Sequence, residues 1–151
     1  MASDWDLILR DALTKTLEEL CFVAPDPESE GGASLPLEAV AQVGFAGPIV
    51  GHLLVRMHGQ ALASITLDML GTDRPPEVGE LADCLAEIAN VACGTALPML
   101  AGRRAVFDVR APIVSWQAGA EPRGERVAQA GLGFDSGFAE VALFVEKDAA
   151  P

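Results

Sequence analysis

"GELADCLAEIANVACGTALP", residues 79–98, reads as a long helix with two acids, an amide and a glycine stacked along one side. At 100° per residue, Leu81, Cys84, Leu85, Ile88, Val91, Ala92 and Thr95 form a packing face. Asp83, Glu87, Asn90 and Gly94 gather on another, well separated from it. Glu87 and Asn90 are neighbours there, about 5–6 Å apart at Cβ. On periodicity alone the stripe is a solvated helix face. Two details weigh against that. Asn is a poor mid-helix residue because its amide competes for backbone hydrogen bonds. The face also carries no Lys or Arg, although i,i+4 ion pairs are the simple way to stabilise an exposed side. Ala86, Ala89 and Cys93 flank the amide and Gly94 follows one turn on, so the spacing lets another surface approach Asn90.

Working outward, "GTDRPPEVGE" is a turn into this helix. Pro76 falls near its first turn, and Glu77 and Glu80 favour its dipole. Pro98 is expected to end or kink it at about Leu97. Residues 4 to 22 form an amphipathic helix through Trp5, Ile8, Leu9, Ala12, Leu13, Thr16, Leu17 and Leu20, with Ser3 as a cap. The Pro, Gly, Ser and acid content of 24 to 34 marks a loop. Strands are expected over about 39–45 and 49–57, joined at Gly47-Pro48. A helix follows over about 59–70, although Ala63, Ile65, Leu67 and Met69 also alternate as a strand would. "AVFDVRAPIVSW" is a strand interrupted at Pro112, and "DSG" joins "RVAQAGLGF" to "FAEVALFVE" as a hairpin. The order is helix, two strands, two helices, three strands. That is one α/β domain of the α+β type over 1–151, with a largely antiparallel sheet.

A 151-residue chain that is 50% hydrophobic can bury a core without metal or disulfide staples. A net charge of −12 argues against nucleic acid and anionic membrane surfaces. The N-terminus lacks the apolar run of a signal peptide, and no stretch is expected to span a bilayer. Cys21, Cys84 and Cys93 are odd in number and not at metal spacing. Reduced thiols in a cytoplasmic protein are the expected state. His52 and His58 have no metal ligands near them in sequence. "GFAGPIVG" lacks phosphate-loop spacing, and no Ser-His-Asp or Cys-His arrangement emerges. The acid pairs Glu18-Glu19 and Asp83-Glu87 come with no sign of a sugar cleft.

Asp83, three residues, Glu87, two residues, Asn90, and Pro112 22 positions beyond the Asn together resemble the CheC/CheX/FliY phosphatases of bacterial chemotaxis, CheX most closely. The "ExxNxxxG" core stands as Glu87, Asn90 and Gly94. "LRDALTKTLEELCF", "GFAGPIVGHLLVRM" and "FDVRAPIVS" resemble the family's first helix, first hairpin and strand into the proline. The resemblance covers roughly 5 to 146. CheC and FliY modules carry two such helices; this chain, like CheX, has one ExxN. A Gly common after the proline is not evident in "PIVSWQAG", where Trp116 stands nearby.

The resemblance implies a CheC-like fold with long helices on one face of the sheet, and hydrolysis of the phosphoryl-aspartate of a CheY-like receiver. The receiver would supply Mg²⁺, acids and a lysine, so no cofactor is expected in this chain. What remains is to place a water in line, a positioning task suited to an uncharged carboxamide. Asn90 would orient that water, and Glu87 would pair with the receiver's lysine. Asp83 would set the helix surface, Pro112 would shape the strand beneath and Gly94 would permit close approach. A homodimer through the sheets is implied as well. The alternative is a non-catalytic module docking on a receiver or a flagellar-switch protein; a structural homodimer with a merely wet face is a third.

Overall fold

The computed structural model describes residues 4–21 and 34–146. Its elements are α1 (Asp4–Cys21), β1 (Leu37–Ala46), β2 (Val50–Gly59), α2 (Ala61–Leu70), α3 (Val78–Ala101), β3 (Asp108–Val109), β4 (Ile113–Ser115), β5 (Glu125–Phe134) and β6 (Gly137–Val145). The proposed cap at Ser3, nearly all of the 24–34 loop and the Cys21 side chain lie outside the described residues.

The strands form one sheet in the order β3-β1-β2-β6-β5, with β4 also paired to β1. Every pairing is antiparallel. Alternation along the strands sends Ala41, Val43, Val55, Met57, Val141 and Leu143 into the main core. Leu9, Leu13 and Leu17 of α1 meet them there, with Leu85, Ile88 and Ala92 of α3. The intervening residues Val40, Leu54, Ala142 and Phe144 form a second small cluster on the other face. The helices therefore cover one face of an antiparallel sheet, the expected α+β architecture. The expected strand at Pro112 is two short ones, because proline cannot donate to the ladder. The "DSG" hairpin turns as expected, Phe134 pairing with Gly137.

The ambiguous segment after β2 is a helix. Glu38, reaching over from β1, accepts hydrogen bonds from the N–H groups of Leu62 (2.7 Å) and Ala63 (2.8 Å). These orphan donors of the first turn need a partner, and the local sequence offers none. Gly71, at φ 64°, closes the other end through its N–H to Leu67 O.

The expected end of α3 at about Leu97 is not observed. The helix continues past Pro98 to Ala101, and Gly102 donates to Pro98 O. Proline has no N–H, so the carbonyl of Gly94, an exposed residue, receives no helix bond from position 98. At its start α3 has Glu77 as N-cap with Pro76 just before it, near the first turn as expected. By length and composition alone, α3 also qualifies to cross a membrane, contrary to the expectation that no stretch does. Yet it packs against α1, α2 and the sheet, as the core helix of a globular fold does.

Candidate functional site

Asp83, Glu87, Asn90 and Gly94 are all exposed on α3, on the single stripe their spacing predicts. Cys84 and Cys93, nine residues apart and so on opposite sides of the helix, are both buried. The buried arc of α3 therefore spans about half its circumference, and the stripe lies in the remainder. Ala89 and Cys93, expected to flank Asn90 as open small residues, are instead fully buried. The approach to Asn90 is left to Ala86, which is half-buried, and to Gly94. A Cβ built on Gly94 would meet no atom within 4 Å.

The side chains of Asp83, Glu87 and Asn90 make no hydrogen bond or ion pair with any described residue. Such a set of unpaired polar groups on a rigid ridge is available to a partner. Three cavities lie elsewhere, and the stripe lines none of them. An exposed stripe outside these three cavities suits a macromolecule better than a small ligand.

The helix is fixed at its entry. Arg74 holds Glu80 by two hydrogen bonds of 2.7 Å each. Glu80 also accepts the N–H of Glu77 at 2.9 Å, the backbone-capping half of a capping box. The hydrogen bonds from Arg74, then that of Glu77, bring the Glu80 carboxyl down to about 2. Glu80 was legible as a dipole-favouring acid; its partner Arg74, across the turn, was not.

Farther down, Cys84 contacts the Met69 sulfur of α2 at 3.3 Å. Burial raises the Cys84 thiol and pushes Cys93 up to about 12, so both stay protonated. Pro112 sits half-buried in the link between β3 and β4 on the sheet edge, apart from the stripe in sequence. His58 is a core histidine, held by Leu35 O at 3.1 Å and by Glu140 at 2.9 Å. Among the described residues, no group of three or more His, Cys, Asp or Glu could hold a metal ion.

The framework is a core helix that presents an unpaired acid–acid–amide stripe beside a one-sided antiparallel sheet. The family model described as "Chemotaxis phosphatase CheX" matches residues 39–121, and the chain belongs to that family. No curated protein matches it. Among solved structures it is similar to chemotaxis protein CheX from Vibrio vulnificus, with a TM-score of 0.76 at 19% identity over 95% of this chain and 97% of that one. A CheC-like superfamily protein from Shewanella sp. PV-4 matches with a TM-score of 0.73 at 19% identity over 97% and 99%. CheX in the CheX–CheY–BeF3–Mg²⁺ complex of Borrelia burgdorferi matches with a TM-score of 0.62 at 17% identity over 95% and 99%. At these identities the shared feature is the CheC-like fold.

Proposed function

We propose that this chain is a phosphatase for the phosphoryl-aspartate of a CheY-like response regulator. The carrying observation is the exposed, unpaired Glu87–Asn90 pair on a packed helix. Membership of the chemotaxis phosphatase CheX family supports the reaction class. The Borrelia complex, in which a CheX meets CheY with Mg²⁺, supports the partner and a metal that travels with it.

In this reading α3 docks at the receiver's phosphorylated pocket. Glu87 pairs with the receiver's lysine and draws it from the phosphoryl group. The Asn90 carboxamide accepts from and donates to a water, holding it in line with the P–O bond. Its neutrality matters, because a carboxylate there would repel the phosphoryl oxygens. Asp83 sets the docking register, Gly94 admits the receiver surface and Pro112 shapes the strand at the sheet edge. The chain itself needs no metal; Mg²⁺ comes with the receiver. We place the enzyme in the cytoplasm as one phosphatase domain spanning 1–151 and acting as a homodimer, without nucleic-acid or membrane partners.

The test is phosphate release from a panel of phosphorylated receivers in Mg²⁺. The parent chain is expected to accelerate release from one receiver. Asn90→Ala keeps binding and loses acceleration, while Glu87→Ala mainly weakens binding. If no receiver is accelerated but one bearing a stable phosphoryl mimic still binds, the chain is a docking module and catalysis is lost to it.

A further inference from the structure

His58 is a buried ionisable side chain, 7% exposed, that the stripe on α3 does not use. It stands on β2, and both of its ring nitrogens are engaged. Nδ1 is 3.1 Å from the carbonyl oxygen of Leu35, in the segment that enters β1. Nε2 is 2.9 Å from Glu140 Oε1 on β6. A carbonyl can only accept a hydrogen bond, and so can a carboxylate. Arg56 Nη1 lies 3.9 Å from the same Glu140 oxygen, as the partner of a carboxylate would. A neutral imidazole carries one N–H and can serve one of these two acceptors. The imidazolium serves both.

The charged groups around the ring come from three strands. Glu140 of β6 touches it, and Glu38 of β1 is near enough that the two charges attract. Arg56, two residues away on β2, is shared between Glu140 and Glu121 at 3.9 Å each. The first turn of α2, Ala61 to Ser64, brings no charged side chain. Phe138 of β6 presents a tilted ring, 6.1 Å away between centroids. The Leu35 segment has further contacts with the end of β2. Gly59 N–H donates to Pro36 O at 2.8 Å, and a Cβ on Gly59 would stand 3.2 Å from Leu35 Cδ1. Three residues past Leu35, Glu38 caps α2 through the N–H groups of Leu62 and Ala63. One buried ring thus sits where β6, the entry to β1 and the start of α2 meet.

We propose that His58 is a proton-operated latch on the segment that enters β1. Doubly protonated, the ring holds Glu140 and the Leu35 carbonyl together. When one proton leaves to solvent, the remaining N–H stays with the carboxylate. A hydrogen bond to a charged acceptor is roughly twice as strong as one to a neutral carbonyl. Nδ1 then turns a lone pair toward the Leu35 oxygen, and the two acceptors repel. Residues 34–36 are released from His58 in that step, as pH rises. Loss of the ring charge also removes an attraction that favours ionised Glu38, so the α2 cap weakens with it. No residue of the exposed stripe takes part, so the latch stands or falls separately from the phosphatase reading.

The experiment is a pH titration of the intact protein by long-range proton–nitrogen NMR of the histidine rings. The backbone amides of Leu35 and Gly59 are followed in the same samples. At the acid end of the folded range, both His58 nitrogens are expected to carry protons. As pH rises, Nδ1 should lose its proton while Nε2 keeps its own. The Leu35 and Gly59 amides should shift in that same step, and their hydrogen exchange should rise relative to the β2–β6 ladder. Glu140→Gln should move the step to lower pH by about one unit or more, the scale of removing an opposite charge in contact. His58→Gln should abolish the step at Leu35 and Gly59, and Asn90→Ala should leave it unchanged. A ring that is neutral throughout the folded range, or that keeps its Nδ1 proton instead, would overturn the proposal. So would a His58 step that leaves Leu35 and Gly59 unmoved, or one that Glu140→Gln does not displace.

Discussion

Gly94 stands one helical turn beyond Asn90 on the same exposed stripe, with open space where its Cβ would be. No described residue requires a glycine there, and one in an exposed helix costs about 0.5–1 kcal/mol relative to alanine. Gly94→Ala is therefore expected to raise Tm by about 1–4 °C in the free protein. If the stripe is a docking surface, the same methyl weakens receiver binding and slows phosphate release. Calorimetry and the release assay, run on one preparation, check both. A variant that is more stable and fully active removes the case for close approach at Gly94.

The choice of amide over acid at Asn90 gives a sharper test. Asn90→Asp is nearly isosteric and changes only charge and donor capacity. Like Asn90→Ala, it should lose hydrolysis by about a hundredfold or more, the scale of losing one positioned group. Unlike Asn90→Ala, it should also bind the phosphorylated receiver more weakly than the unphosphorylated one. Equal binding to both would mean that Asn90 does not face the phosphoryl group.

The stripe was legible because a 3.6-residue period fixes which residues share a side, whatever packs against the other. What surrounds it was less so. Ala89 and Cys93 looked like open flanks, but a helix held between a sheet and two other helices buries more than an amphipathic period implies. Pro98 reads as a stop, yet the one hydrogen bond it withholds is that to the carbonyl of Gly94, an exposed residue. The helical state of α2 could not be decided locally, because its cap, Glu38, comes from a strand 24 residues earlier.

The entry to α3 should titrate in acid. Glu80, ordinarily at 4.5, sits at about 2 because Arg74 and the Glu77 N–H hold its charged form. A folded value below the unfolded one stabilises above about 4.5, and that gain fades as pH falls through about 2. Glu80→Gln is thus expected to melt slightly below the parent at pH 7, with the gap closing between pH 4.5 and 2. High salt should narrow it too, since the pair is solvent-facing. Melting curves across that range decide it. A gap that persists at pH 2 would assign the effect to side-chain packing.

Glu38 should behave in the opposite sense. Burial raises its carboxyl above the ordinary 4.5, outweighing the Leu62 and Ala63 N–H groups that favour its charged form. A folded value above the unfolded one stabilises fully below about 4.5, and that gain is lost as pH rises through the folded value. Glu38→Gln keeps one acceptor for the α2 donors and cannot titrate, so the parent should gain on it as pH falls from 7 to 4. Glu38→Ala leaves both donors unserved and should cost about 0.5–2 kcal/mol at any of these pH values, the range for a lost helix cap. Chemical denaturation of the three proteins at pH 4 and pH 7 separates the terms. A parent that instead loses ground to Glu38→Gln toward pH 4 would show that the two backbone hydrogen bonds outweigh the desolvation of this carboxylate.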